Sequence, residues 1–334
     1  MAHYAPILKA AMSRSGLTIA LCAAAPASLL FALWTGSVHL SLGDIWQILF
    51  GHAHGVDATI VRDLRLPRAL AAFAVGALLA LSGALLQVLL RNPLADPYVL
   101  GVSGGAAVAA LGSMLLGLGT AWIGTNAFIG SLASTIIVFG LSRASGVWTQ
   151  SRLLLTGVVI AAGWGAVISF LLAVSPSSNV QGMLFWLIGD MSYARHPAWA
   201  GATLAAGLLL SLPLARSLNV YARGELVAAA LGADVVFLRT AIYLLASFMT
   251  ASAVTQAGSV GFVGLIIPHL LRLTGDSDYR RLLPHSALLG GSFLVVCDTL
   301  ARSLLTPVQL PVGVITALLG VPAFLLLLSR ARVP

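Results

Sequence analysis

Charge is scarce in this chain. Asp, Glu, Lys and Arg make up 8% of it and hydrophobic residues 59%, where a soluble domain carries roughly a quarter charged residues. That leaves too little polar surface to cover a globule in water, so the solvent for most of the chain is lipid. Lysine occurs once, at Lys9, and no Gly-x-x-x-x-Gly-Lys-Ser/Thr phosphate loop is present. The chain therefore has no nucleotide-hydrolysing site of that kind. There are two cysteines, Cys22 and Cys297, each inside an apolar run. They read as small packing residues, not as a disulfide or a metal pair. No closely spaced Cys/His signature for a metal exists. The net charge of +8 raises the possibility of a nucleic-acid partner. The basic residues, however, stand in ones and twos between apolar runs, as membrane topology is written.

What is present is a series of long apolar runs. A spanning helix needs about 20 mostly apolar residues, and about ten runs qualify: 17–34, 68–90, 98–117, 121–142, 152–174, 198–215, 237–256, 259–274, 284–304 and 311–329. They are continuous, not alternating, which favours helices over barrel strands. The first run follows Lys9 and Arg14, with Ala23-Ala24-Ala25 in its middle. A cleaved signal has a shorter core and small residues at its far end, so this run reads as a retained helix. The fold expected is an all-α polytopic membrane protein, one transmembrane domain over 1–334.

The arginines orient it. With a cytoplasmic N-terminus, the inner side holds Lys9, Arg14, Arg91, Arg143, Arg152, Arg216, Arg223, Arg239, Arg272, Arg280, Arg281, Arg330 and Arg332. The outer side holds Arg62, Arg65, Arg68, Arg195 and Arg302. That asymmetry obeys the positive-inside rule and places both termini in the cytoplasm. The outer arginines read either as snorkelling side chains or as a positive rim for an acidic partner. Asp298 and Arg302 are spaced as a favourable helical ion pair.

Three connections are more than turns. Residues 35–67 contain an amphipathic piece, Leu42 to Phe50, expected at the outer interface. Residues 175–197 read as a second outer segment. Residues 216–239 form the longest inner segment, where Gly224 to Gly232 reads as a short helix closed by glycine. A faint inverted repeat relates Ser82–Gln87 and Tyr98–Gly101 to Ser252–Gln256 and Gly261–Gly264, an arrangement common in transporters. Pro268 breaks the run 259–274, and His269 reads as a neutral histidine packed against the carbonyl that Pro268 frees.

Arg91-Asn92-Pro93-Leu94-Ala95-Asp96-Pro97-Tyr98-Val99-Leu100-Gly101-Val102-Ser103-Gly104-Gly105 reads on its own as a well-made cytoplasmic turn, with two prolines that stop one helix and admit the next. Asn92 and Asp96 are suited to capping free amides. This segment resembles the FecCD-type permease subunits of ABC importers for haem, iron-siderophore complexes and vitamin B12. So do Arg65-Leu66-Pro67-Arg68, Gly261-Phe262-Val263-Gly264-Leu265-Ile266-Ile267-Pro268-His269 and the run from Leu310 to Pro322. The resemblance extends from about Leu42 to Arg330.

The resemblance implies a type II importer permease fold with ten helices, paired as a homodimer. It implies two ATP-binding cassette subunits inside, which bind ATP and Mg, and a periplasmic substrate-binding protein outside. This chain would then be no enzyme, hold no cofactor or metal of its own, and lie in a bacterial inner membrane. By motif match, ATPase coupling falls to Gly224, Glu225, Ala228, Ala229, Ala230, Leu231 and Gly232. Docking of the binding protein falls to Arg65, Arg68 and Arg302, and a cytoplasmic gate to Asn92, Leu94, Gln150 and Ser151. The implied cargo is a bulky chelate, with haem first, a ferric siderophore second and vitamin B12 third. One departure is Asp190 after Trp186-Leu187-Ile188-Gly189, where such permeases commonly carry a small residue. It reads as a partner of Arg195 or as a steering charge at the outer mouth.

Two rival readings differ in class. An ion-coupled secondary transporter shares inverted repeats but needs charges in mid-membrane, and here nearly every charge lies at a helix end or in a loop. An intramembrane serine protease would use Ser103 of Gly101-Val102-Ser103-Gly104 with His269 as base. That tetrapeptide is common in glycine-rich membrane helices.

Overall fold

The computed structural model describes residues 14–36, 38–51, 55–144, 149–194 and 197–330. Among these, every regular element is helical. In chain order they are α1 (Arg14–Trp34), α2 (Leu42–Phe50), α3 (Val56–Leu89), α4 (Val102–Leu115), α5 (Thr120–Arg143), α6 (Gln150–Val174), α7 (Ser177–Ile188), α8 (Pro197–Ser211), α9 (Ala215–Tyr221), α10 (Glu225–Ala230), α11 (Val235–Ala257), α12 (Val263–Leu273), α13 (Tyr279–Ser303) and α14 (Val312–Arg330). Lys9, Arg195 and Arg332 lie outside the described residues, and with Arg195 the expected pairing to Asp190.

Each run read from the sequence has its helix. Among the described residues, α1, α3, α5, α6, α11 and α13 are long and apolar enough to cross a bilayer singly. Helices α8 and α9 do so as a pair bent by 62°. The bend falls at Leu212-Pro213-Leu214, where proline removes a backbone donor and crowds the preceding turn. The span expected over 198–215 is thus broken near its end. Helices α4, α12 and α14 are apolar but shorter.

The centre of the bundle is α3, which packs against α8, α11, α12 and α13. Its apolar residues point all round because neighbours cover every side. Two glycine pairs set the closest approaches. A Cβ on Gly76 would collide with the Gly290 carbonyl of α13, and one on Gly83 with the Gly264 carbonyl of α12. At 34 residues, α3 is about 51 Å long, more than a bilayer core needs. Its first turns, including a π-helical stretch over Ile60–Arg65, were expected as loop. Arg62 and Arg65 therefore sit on the helix itself. The amphipathic piece forms as α2, with Ser41 and Asp44 in a reciprocal capping box and Ile45 and Ile48 buried. Within the expected outer segment a helix forms, and most of its residues are exposed or half-buried. Helix α7 buries Trp186 and ends where α11 stops, with the Asp190 N–H donating to Ala257 O at 2.8 Å.

The second helical break also differs from a plain turn. After Arg91–Leu94 the chain goes back into the bundle, where Pro97–Leu100 forms a 3-10 turn. Pro97 and the Leu79 carbonyl both crowd Gly264. Leu79 lies ten residues from the end of α3, so this contact is about 15 Å along the helix from that end. A matching break follows α11 at Gly258–Phe262. The two breaks dock on each other, Tyr98 Oη donating to Val260 O at 2.9 Å. Both short helices that follow start from a left-handed residue, Gly101 (φ +73) before α4 and Phe262 (φ +70) before α12. The faint repeat in sequence is thus a repeat in backbone form, a long helix, a break and a short helix.

Candidate functional site

One end of the bundle gathers the ends of α3 and α12, the starts of α6, α11 and α13, and the segment α9–α10. Helix α10 begins at Glu225 after Gly224 and is closed by Gly232, at φ +79. Ala228 is buried, so the exposed residues are Leu226, Val227, Ala229, Ala230 and Leu231, not Ala228 to Ala230 as a unit. Leu226 is 87% exposed and Leu231 69%.

The same end holds the four gate candidates. Asn92 Oδ1 accepts from the Leu94 N–H at 2.9 Å, fixing the turn, and Leu94 is exposed. Gln150 reaches the last turn of α3, donating to Leu89 O at 3.0 Å and accepting from Arg91 Nη2 at 3.3 Å. It also donates to Glu225 Oε1 at 3.2 Å. Gate and coupling candidates are thus brought into contact through Gln150. Ser151 is exposed beside it.

Three further clusters at this end were not read from the sequence. Gln87 donates to the Gly264 and Leu265 carbonyls at 3.3 and 3.1 Å and accepts from Arg272. Gly264 is the residue whose carbonyl Pro268 leaves without its helical donor, so Gln87 and not His269 satisfies it. A lone amide inside an apolar span was the available signal. His285 joins Asp276 through Nδ1 and Thr18 Oγ1 through Nε2, the latter at 3.0 Å, tying α1 to α13. Asn219 Nδ2 donates to Asp278 Oδ1 at 2.6 Å, tying α9 to the start of α13. That bond and the Arg280 N–H hold the Asp278 carboxyl below the ordinary carboxylate range.

The opposite end carries the three docking candidates. Arg68 forms a bidentate pair with Asp298, Nη2–Oδ1 at 2.8 Å and Nε–Oδ2 at 2.9 Å. Arg302, the partner expected from spacing, pairs with the same carboxylate more loosely, at 4.0 Å, and also donates to Ala32 O at 2.5 Å. Arg65 is buried and donates to Leu33 O at 2.6 Å and Val38 O at 2.7 Å. It braces the α1–α2 connection. Arg68 and Arg302 remain partly exposed, and Arg62, exposed, caps the end of α2 through Ile48 O and Gly51 O. Asp190 accepts from the Ser192 N–H at 2.8 Å and hydroxyl at 2.6 Å, so it caps the turn at Met191–Tyr193.

Among the described residues, six helices long and apolar enough to cross a bilayer make this a polytopic membrane protein. The FecCD transport family matches residues 24–330, and the chain belongs to that family. It is 38% identical to the ABC transporter permease protein YvrB of Bacillus subtilis over 91% of this chain and 90% of that one. It is 39% identical to the vitamin B12 import system permease protein BtuC of Shigella boydii, over 91% and 92%. It is 43% identical to the cobalamin import system permease protein BtuC of Halobacterium salinarum, over 82% and 74%. A solved structure described as an inward-facing conformation of a metal-chelate type ABC transporter superposes with a TM-score of 0.83, at 29% identity, covering 93% of this chain and 98% of that one. The chain is a permease of the ABC importer type.

Proposed function

We propose that this chain carries a cobalamin-class metal chelate across the inner membrane as one half of a homodimeric, ATP-driven permease. The observation that carries the ATP-driven part is α10. Its Leu226 and Leu231 are exposed at a polar end of the bundle, while its first residue, Glu225, is bonded to the gate candidate Gln150. That is the form of a helix built to be gripped by a partner and to pass the motion on. Two ATP-binding subunits occupy this face, with both chain termini on the same cytoplasmic side. Asn92, Leu94, Gln150 and Ser151 close the path inside. At the other end Arg68 and Arg302 offer partly exposed positive charge to an acidic binding protein, and Arg65 shapes that rim from beneath.

The choice of cargo follows the relatives. Two permeases named above for vitamin B12 or cobalamin match most of this chain. No residue-level feature favours haem, the first expectation from sequence, and cobalamin takes its place. The test is uptake of radiolabelled cobalamin into proteoliposomes holding the full complex, with ATP inside the ATPase compartment and haem as competitor. ATP-dependent cobalamin uptake that a tenfold excess of haem leaves intact supports the reading, the excess being on the order of one RT ln 10 of discrimination. Uptake of haem with none of cobalamin overturns the cargo.

A further inference from the structure

The turn that ends α3 has a backbone shape that ordinarily belongs to glycine. Arg91 has φ +46. Its N–H donates to Val88 O at 3.2 Å and the next N–H, of Asn92, to Gln87 O at 3.1 Å. Arg91 therefore stands in the left-handed position that glycine usually fills after a helix. A side chain there is crowded against the backbone, and such strain persists only where the surroundings hold it. The two backbone bonds close the turn, and the side-chain amide of Gln150 spans it from outside. Its oxygen accepts from Arg91 Nη2 at 3.3 Å. Its nitrogen donates to Leu89 O at 3.0 Å and to Glu225 Oε1 at 3.2 Å. Only one orientation of the amide meets this donor and these two acceptors. Glu225 is anchored in turn by Tyr221 Oη at 2.8 Å and faces Arg239 Nη1 at 3.5 Å.

We infer that Gln150 is the positioning residue that transmits movement of α10 to the Asn92–Leu94 turn. Displacing α10 displaces Glu225, and the Gln150 amide passes that displacement to Leu89 and Arg91. The turn beyond Arg91 is stiff. Asn92 accepts from the Leu94 N–H through Oδ1 and from the Ala95 N–H, at 3.1 Å, through its carbonyl. A shift of Arg91 is therefore a shift of Leu94. No covalent step is involved. The inference rests on α10 being the helix that the ATP-binding subunits move.

The experiment uses the complete transporter in proteoliposomes. Cys22 is replaced by alanine, and spin labels are placed at Leu94→Cys or Arg223→Cys to measure the distance between the two copies before and after ATP. In the parent, both distances change. In Gln150→Leu, the change at position 223 persists and the change at position 94 disappears. Uptake per ATP hydrolysed falls at least tenfold while hydrolysis stays within twofold of the parent. Arg91→Ala, which removes the guanidinium that donates to the same amide, gives the same split, and the double variant is no worse than either single one. A merely structural role would lower hydrolysis and uptake together. A change at position 94 that survives in both single variants overturns the link alone. No change at position 223 in the parent overturns the reading of α10 as well.

Discussion

Arg68 of α3 and Asp298 of α13 meet in a bidentate ion pair, with Asp298 buried and Arg68 21% exposed. Two parallel N–H···O bonds fix direction as well as distance. The pair ties the outer part of the central helix to the end of a second long helix, and Arg302 lies beside it.

Breaking that pair from the acidic side is costly. Asp298→Asn is expected to lower stability by about 2 kcal/mol, below the roughly 3–5 kcal/mol of a fully buried pair because water reaches Arg68. Replacing both residues with leucine is expected to restore most of the loss. Thermal midpoints in detergent of Arg68→Leu, Asp298→Leu and the double leucine variant give the coupling. A double variant no more stable than Asp298→Asn would contradict the account.

Gln87 is expected to matter because Pro268 is where it is. Gln87→Leu strips a donor from the Gly264 and Leu265 carbonyls and an acceptor from Arg272. The expected cost is about 1–3 kcal/mol. With Pro268→Ala the helix supplies its own donor to Gly264, so Gln87→Leu should cost less in that background. Equal costs in both backgrounds, measured by thermal unfolding, would separate Gln87 from the proline.

Asp278 gives a pH dependence. Its folded pKa is lowered, first by Asn219 and then by the Arg280 N–H, from an unfolded value of about 3.9. A lowered folded pKa means the stability is full above about pH 4 and is lost as pH falls through the folded value. Midpoints recorded from pH 6 to pH 3 should therefore drop more steeply in the parent than in Asn219→Ala. Parallel curves would refute the assignment.

The exposed face of α10 predicts a binding defect without a folding defect. Leu226→Asp or Leu231→Asp places a charge where an apolar contact is expected. Association with the ATP-binding subunits should weaken at least tenfold, about 1.4 kcal/mol. The permease alone should keep its thermal midpoint. Unchanged association would place the docking surface elsewhere.

The helices were legible in the sequence because lipid imposes one rule, a long apolar run with its backbone bonded internally. The arginines separate the two ends of the bundle, Arg65, Arg68 and Arg302 at one and Arg91, Arg239 and Arg272 at the other. Where sequence reading failed, the deciding groups were distant in the chain. Nothing local to Asp298 says that its tighter partner is Arg68, 230 residues away; the i, i+4 spacing showed only the looser pair with Arg302. Pro268 signals a freed carbonyl, but only packing shows that Gln87 fills it. The re-entry of Asp96–Gly101 was hidden because two prolines in a polar stretch look like a surface turn. The glycines of α10 marked its ends, yet which alanine points inward depended on the neighbouring bundle.

ATP-dependent uptake with the complete complex tests the central claim most directly. Proteoliposomes carrying this chain alone are compared with proteoliposomes carrying it together with the ATP-binding subunits and the binding protein. The account predicts chelate uptake only in the complete complex and only with ATP on the α10 side. Uptake by this chain alone, driven by a proton or sodium gradient, would contradict it.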